Sequence, residues 1–249
     1  YEMSASLVGS EMCIRDRITL EQSKLTLSKD ITVLSFSDSS MVDRNSSIIK
    51  VDSGWIVYSK NSESSILSFT SDGQFSGYIG HRGNGPGEYT SVYDVVVNQK
   101  SKVLEVLSDG GIFCYTFGGD FLDKKEVTYP AFSFAIDDRQ NYWFYVGNNT
   151  TYGDAKMICT DENIANVAYY LHQKSNMLPM VENNFGRNGE WLTFHESLNH
   201  DLYTIENGKL DLSYAMDFPN YKLPKKLHEL SGMEVIEELQ RSNYASIIN

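Results

Sequence analysis

From Ile18 onward, short runs of β-branched and aromatic residues alternate with turns rich in Gly, Asp, Asn and Ser. That alternation is how antiparallel strands read in sequence. Ser47–Val51 and Trp55–Ser59 flank Asp52-Ser53-Gly54, which predicts a hairpin. Tyr93–Val97 and Val103–Leu107 flank the polar run Asn98–Lys102, and Phe132–Ile136 and Tyr142–Val146 flank Asp137–Asn141, predicting two more. The run Tyr142-Trp143-Phe144-Tyr145-Val146 is bulky at every position, which suits a strand covered on both faces rather than a half-exposed one.

A second type of hairpin follows each of these. Phe69-Thr70-Ser71-Asp72-Gly73-Gln74-Phe75 reads as strand, Asp-Gly turn and aromatic return, and Tyr115-Thr116-Phe117-Gly118-Gly119-Asp120-Phe121 repeats the form. Cys159–Ile164 is a weaker copy and Tyr203–Leu210 a longer one. The expected return residues Phe75, Phe121, Ile164 and Leu210 are separated by 46, 43 and 46 positions. Paired hairpins repeating at this interval predict an all-β fold, a β-propeller of four-stranded blades. A lone four-stranded sheet cannot bury both faces, whereas stacked sheets can. Four blades are expected, over 45–80, 90–130, 131–172 and 185–218, with one or two further strands from Ile18–Phe36. Beyond Pro219 and Pro224 the texture changes. Leu227, Leu230, Met233 or Val235, Ile236 and Leu239 recur near helical spacing, predicting an amphipathic helical insertion over Lys225–Arg241.

Residues 1–17, YEMSASLVGSEMCIRDR, show neither strand alternation nor the basic start and apolar centre of a secretory signal. The stretch resembles translated sequencing adapter and is set apart as a non-native or disordered leader; 18–249 is read as an incomplete propeller domain.

Composition narrows the function classes. The chain has 249 residues, 41% hydrophobic and 22% charged, as in an ordinary globular protein. Its 33 acidic and 21 basic residues give a net charge of −12, which argues against nucleic acid and anionic lipid as partners, since both call for a basic face. No apolar run approaches the roughly 20 residues of a membrane span.

The segment Gly80-His81-Arg82-Gly83-Asn84-Gly85-Pro86-Gly87-Glu88-Tyr89, after Asp72-Gly73-Gln74-Phe75, resembles the six-bladed, NHL-like β-propeller family abundant in Bacteroidota, whose mark is a GxGPGEY loop. The resemblance implies that four of six blades lie in these residues, so that the chain is a fragment ending in the insertion after the fourth; a complete four-bladed propeller is the alternative. It also implies a cell-envelope location, periplasmic or as a surface lipoprotein, with the export signal outside this chain. Most such proteins have no assigned activity.

The loop spacing Gly83-x-Gly85-x-Gly87 is not that of a dinucleotide fingerprint, and a strand, not a helix, follows it. A structural part is therefore expected for Gly83, Gly85, Pro86, Gly87, Glu88 and Tyr89. The glycines admit φ > 0 and the proline fixes one φ, with Glu88 accepting loop amides and Tyr89 packing beneath. In a propeller this blade-to-blade link lies at the same end as the loop between the second and third strands. That end is expected to gather His81, Arg82 and Glu88 with the Lys60–Ser64, Asn148–Asp154 and His195–His200 loops. Arg187, in the loop-like Gly186–Trp191, is expected to join them. Arg and His side by side suit an anionic group on a peptide or glycan.

No nucleophile elbow, HExxH pattern or EF-hand loop is present, so no catalytic residue, cofactor or metal is assigned. Asp137-Asp138 and Asp161-Glu162 read as turn acids, and Cys114 and Cys159 as buried thiols. The expected function is a non-enzymatic binding or scaffold propeller for a peptide, glycan or protein. The alternative is a metal-dependent hydrolase or lyase of lactonase type, which needs inward ligands such as Glu88, Asp94 and His195 to converge. A third reading takes the chain as a truncated gene product without independent function, and on that reading it would aggregate or melt without cooperativity.

Overall fold

Alternation in the first hairpin decides the packing of the first sheet. Along Trp55-Ile56-Val57-Tyr58, Ile56 and Tyr58 enter one buried cluster while Val57 and Trp55 enter another on the opposite face. The computed structural model describes residues 5–6, 31–36, 42, 46–60, 65–147, 153–165, 167–172, 183–189, 191–196 and 199–216, then 227, 229, 230, 234, 235, 237 and 238.

The strands in order are β1 (Ala5–Ser6), β2 (Ser47–Val51), β3 (Gly54–Tyr58), β4 (Ile66–Thr70), β5 (Phe75–Ile79), β6 (His81–Arg82) and β7 (Glu88–Tyr89). There follow β8 (Asp94–Asn98), β9 (Val103–Ser108), β10 (Gly111–Tyr115), β11 (Phe121–Lys125), β12 (Ser133–Ile136) and β13 (Tyr142–Tyr145). The last are β14 (Ala155–Thr160), β15 (Ala168–His172), β16 (Phe185–Asn188), β17 (Trp191–His195), β18 (Asp201–Glu206) and β19 (Lys209–Met216). They form four antiparallel blades in simple up-and-down order, β2 to β5, β8 to β11, β12 to β15 and β16 to β19. The fold is thus an all-β propeller of four-stranded blades. Ala5–Ser6 adds to the outer edge of the fourth sheet, opposite Met216 and Ala215.

Two compact units divide the chain. One comprises Ser28–Ile136 with Asn163–Ala165, the other Asp137–Glu162 with Asn166–Asn249 and Tyr1–Leu27. In the first, a core of Ile56, Ile66, Ile79, Tyr89, Val95, Leu104, Val106 and Tyr115 joins the first two sheets. Each fully buried aliphatic there contributes about 1.5–3 kcal/mol relative to exposure. On the other face of the first sheet, Val57, Leu67 and Phe69 pack with Leu34, Trp55, Phe75 and Tyr78. The segment 31–36 reaches that face by a single parallel bridge, Ser35 to Gln74, with the Ser35 amide donating to the Gly73 carbonyl at 2.8 Å. Residues 18–30 lie outside the described residues, as do most of 1–17.

In the second unit, all of β13 is buried, as its bulk requires. Trp143 and Asp137 meet through a 3.0 Å hydrogen bond from Nε1 to the carboxylate, and Asp137 also accepts the Arg139 and Asn141 amides. It is therefore a turn acid that also satisfies a buried indole. The third blade departs from the expected spacing: its return strand begins at Ala168, opposite Cys159, rather than at Ile164. Ile164 instead sits in the turn at φ +59°. The extra residues lengthen the turn after Asp161-Glu162.

Of the expected C-terminal insertion, Glu234, Val235, Glu237 and Glu238 are helical, and Leu227 and Val235 are buried. Among the described residues no helix is long and apolar enough to cross a membrane.

Candidate functional site

Up-and-down order places two kinds of connection at one end of every sheet: the loop from second to third strand, and the link to the next blade. In the first unit that end carries Gly80–Val92. The short strands β6 and β7 pair in parallel, His81 opposite Glu88 and Arg82 opposite Tyr89. The Gly83 amide donates to the Tyr89 carbonyl at 3.0 Å, and the Glu88 amide to the Gly85 carbonyl at 3.0 Å.

Glu88 Oε2 accepts the Gly85 amide at 2.8 Å, so the glycine loop folds round its own carboxylate. A Cβ on Gly83 would lie 1.9 Å from that oxygen, so a side chain there would have to displace the carboxylate. Gly87, at φ +74°, exposes its carbonyl to the Tyr115 hydroxyl at 2.9 Å. Beneath, Tyr89 is 1% exposed; its hydroxyl accepts the Ile66 amide and donates to the Ile79 carbonyl, both at 3.3 Å. Burial raises the Tyr89 phenol above its ordinary value, so it stays a neutral donor.

The frame leaves His81 and Arg82 exposed on a two-residue strand. Arg82 Nε donates to the Thr90 carbonyl at 3.0 Å, which draws its guanidinium across the end of the link. The side chain of the same Thr90 bonds Asp109, in the turn between the second and third strands of the second sheet. Asp109 accepts hydrogen bonds from Tyr93 (2.5 Å), Thr90 (2.7 Å) and Ser91 (3.3 Å). The Tyr93 hydroxyl, then Thr90, holds the Asp109 carboxyl below its usual range, and the same bond raises Tyr93. Sequence reading passed over Asp109, whose Asp109-Gly110 pair looks like any other turn.

Arg187 lies elsewhere than expected. It is on β16, exposed and opposite Leu192, in the hairpin from first to second strand of the fourth sheet. That hairpin turns at Gly189, at the end of the sheet opposite His195. The echo of the main loop in Gly186–Trp191 is a tight strand turn, because its glycines close a hairpin rather than carry a blade crossing. Within the three loops expected nearby, 61–64, 148–152 and 197–198 lie outside the described residues.

The carboxylates proposed for a metal are engaged by the protein itself. Asp94 is buried, with Lys60 Nζ at 2.9 Å from Oδ1 and the Phe134 amide at 3.0 Å from Oδ2. Burial pushes its carboxyl up, and Lys60 is the largest opposing influence. Glu88 closes the glycine loop. Among the described residues no group of three His, Cys, Asp or Glu side chains could hold a metal ion. Cys114 and Cys159 are free, buried thiols, each pushed up to about 12 by burial. Neither is a ready nucleophile.

A model of the domain of unknown function DUF4934 matches residues 14–249. The chain belongs to the DUF4934 family. No curated protein matches it by sequence. Among solved structures, this DUF4934 chain is similar to a candidate exported protein from Bacteroides fragilis, with a TM-score of 0.73 at 15% identity, covering 86% of this chain and 63% of that one. It is also similar to a DUF4221 family member from Bacteroides vulgatus, with a TM-score of 0.51 at 10% identity, covering 79% and 64%. At such identities the likeness concerns the fold. The DUF4934 chain spans less than two thirds of the length of either relative.

Proposed function

We propose that this DUF4934 chain is a non-enzymatic binding or scaffold propeller of the bacterial cell envelope, periplasmic or a surface lipoprotein, which holds an anionic group of a peptide, glycan or protein partner. One observation carries the reading: the glycine loop spends its own hydrogen bonds internally and presents His81 and Arg82 outward on a stiff support. A guanidinium and an imidazole held in place lose little freedom on meeting a carboxylate or phosphate-like group. Glu88 contributes as the internal brace of this support rather than as a ligand. Arg187 is a separate exposed cation of the second unit.

The envelope location is supported by the Bacteroides fragilis relative, a candidate exported protein. The six-bladed, NHL-like reading rests on the GxGPGEY loop at Gly83–Tyr89.

The test is a binding screen of the purified chain against anionic and neutral peptides and glycans, repeated with Arg82→Ala and His81→Ala. An anionic ligand whose affinity drops about tenfold or more in the Arg82 variant supports the site. Affinity indifferent to both substitutions, or turnover of a small substrate, overturns it.

A further inference from the structure

The cluster around Asp94 has a counterpart in the second unit. Glu196, the residue after β17, is 7% exposed, and both its carboxylate oxygens lie 3.1 Å from Lys156 Nζ. Tyr145, the last residue of β13, donates its hydroxyl to Glu196 Oε1 at 2.8 Å. In the first unit Tyr58, the last residue of β3, donates to Asp94 Oδ1 at a longer 3.5 Å, beside Lys60. The parts correspond. Each time, a carboxylate on one sheet receives an ammonium and a phenol from the preceding sheet, and the phenol ends that sheet's second strand.

The routes to this arrangement differ. Lys60 follows Tyr58 by two residues, whereas Lys156 belongs to the third strand, β14, where its carbonyl accepts the Val146 amide at 2.9 Å. Asp94 opens the first strand of its sheet, while Glu196 follows the second strand of its own. There the His195 amide donates to the Asn184 carbonyl, at the entrance to the first strand. Glutamate, one methylene longer, reaches a comparable place from the neighbouring strand. Different backbone positions delivering the same three groups indicate that the place demands them.

A buried ion pair stabilises poorly compared with apolar packing, because both charges lose their water. It does, however, penalise every arrangement that separates its partners. Asp94 receives groups from three segments, the end of the first sheet, its own strand through the Val95 amide, and β12 through Phe134. Few spacings satisfy all of them.

We propose that Asp94 and Glu196 centre two copies of one conformational device, a buried ammonium–carboxylate–phenol knot that fixes the register of successive sheets at the end where the second-to-third-strand loops begin. Lys60 and Glu196 each stand at the mouth of such a loop, so the knot also sets where that loop departs. The proposal is independent of what the loop end binds.

The test uses the full 249-residue chain, with thermal melts and native-state hydrogen exchange on Lys60→Met, Asp94→Asn and the apolar double variant Lys60→Met/Asp94→Leu. Each single variant is expected to lower the melting temperature and to speed Phe134 amide exchange by about tenfold or more. The double variant is expected to regain the melting temperature while Phe134 stays fast, because packing returns without the convergent acceptor. Tyr145→Phe, which keeps its ring, is expected to speed exchange around Glu196 with little change in melting. If a single variant fails to fold, the double variant decides: a cooperative melt with a fast Phe134 amide supports the knot. A double variant that stays unfolded, or that regains Phe134 protection with its melting temperature, overturns it. So do single variants with exchange unchanged.

Discussion

The Glu88 carboxylate accepts the amide of Gly85, three residues earlier in its own loop, at 2.8 Å. The glycine loop is therefore filled by an anion supplied from within. The loop's glycines make room for that carboxylate, and its rigidity is what His81 and Arg82 stand on.

Removing the internal anion should loosen the support. Glu88→Ala is expected to lower stability by about 1–2 kcal/mol, the scale of a part-exposed, charge-assisted hydrogen bond. Glu88→Gln, which keeps an acceptor oxygen, should lose about half as much. Urea denaturation of the three proteins checks the order. Equal stability of Glu88→Ala and the parent would show that the Gly85 amide is satisfied by water.

Two glycines of nearly equal φ separate backbone strain from collision. Gly54 (φ +153°) and Gly77 (φ +154°) both lie in a region that side chains rarely adopt. A Cβ at Gly54 would stand 1.9 Å from the Phe69 carbonyl oxygen, while one at Gly77 meets nothing within 4 Å. Gly77→Ala should cost about 1–3 kcal/mol, from strain alone. Gly54→Ala should cost about 1–3 kcal/mol more, because backbone cannot step aside. Chemical denaturation of both variants gives the difference directly.

Asp109 should impose a pH dependence of definite sign. Its folded carboxyl is held below the unfolded value, chiefly by the Tyr93 hydroxyl. Its contribution is therefore present above the unfolded pKa and is lost as pH falls through the folded one. Asp109→Asn should melt lower than the parent at neutral pH, and the two curves should converge under acid conditions. A gap that widens on acidification would refute this account of Asp109.

The two described cysteines should be silent in the folded protein. Burial pushes both Cys114 and Cys159 up to about 12, leaving almost no thiolate at pH 8. Iodoacetamide at that pH should spare both until guanidinium is added, as peptide mapping by mass spectrometry would reveal. Prompt native labelling of Cys159 would mean that β14 opens locally.

Much of the fold was legible because hairpins advertise themselves through alternation and turn residues. Asp72-Gly73 and Gly118-Gly119 mark real turns, and Phe75 and Phe121 begin real return strands. Ile164 misled because a polar turn can lengthen without changing its composition, so the return slid to Ala168. Arg187 misled for a related reason, since Gly-rich hairpin turns and Gly-rich blade links share residues. Glu88 and Tyr89 were readable from chemistry local to one loop. The Lys60–Asp94 and Lys156–Glu196 pairs were not, as a charged residue near a strand end reads as solvated until another sheet covers it.

The two routes by which lysine reaches its carboxylate bear on how relatives of this chain should be compared. When blades are aligned strand on strand, Lys60 and Lys156 fall in different columns, and so do Asp94 and Glu196. Within this chain neither column keeps its charge from blade to blade, although the ammonium–carboxylate contact recurs, so the blades correspond in space rather than by strand position.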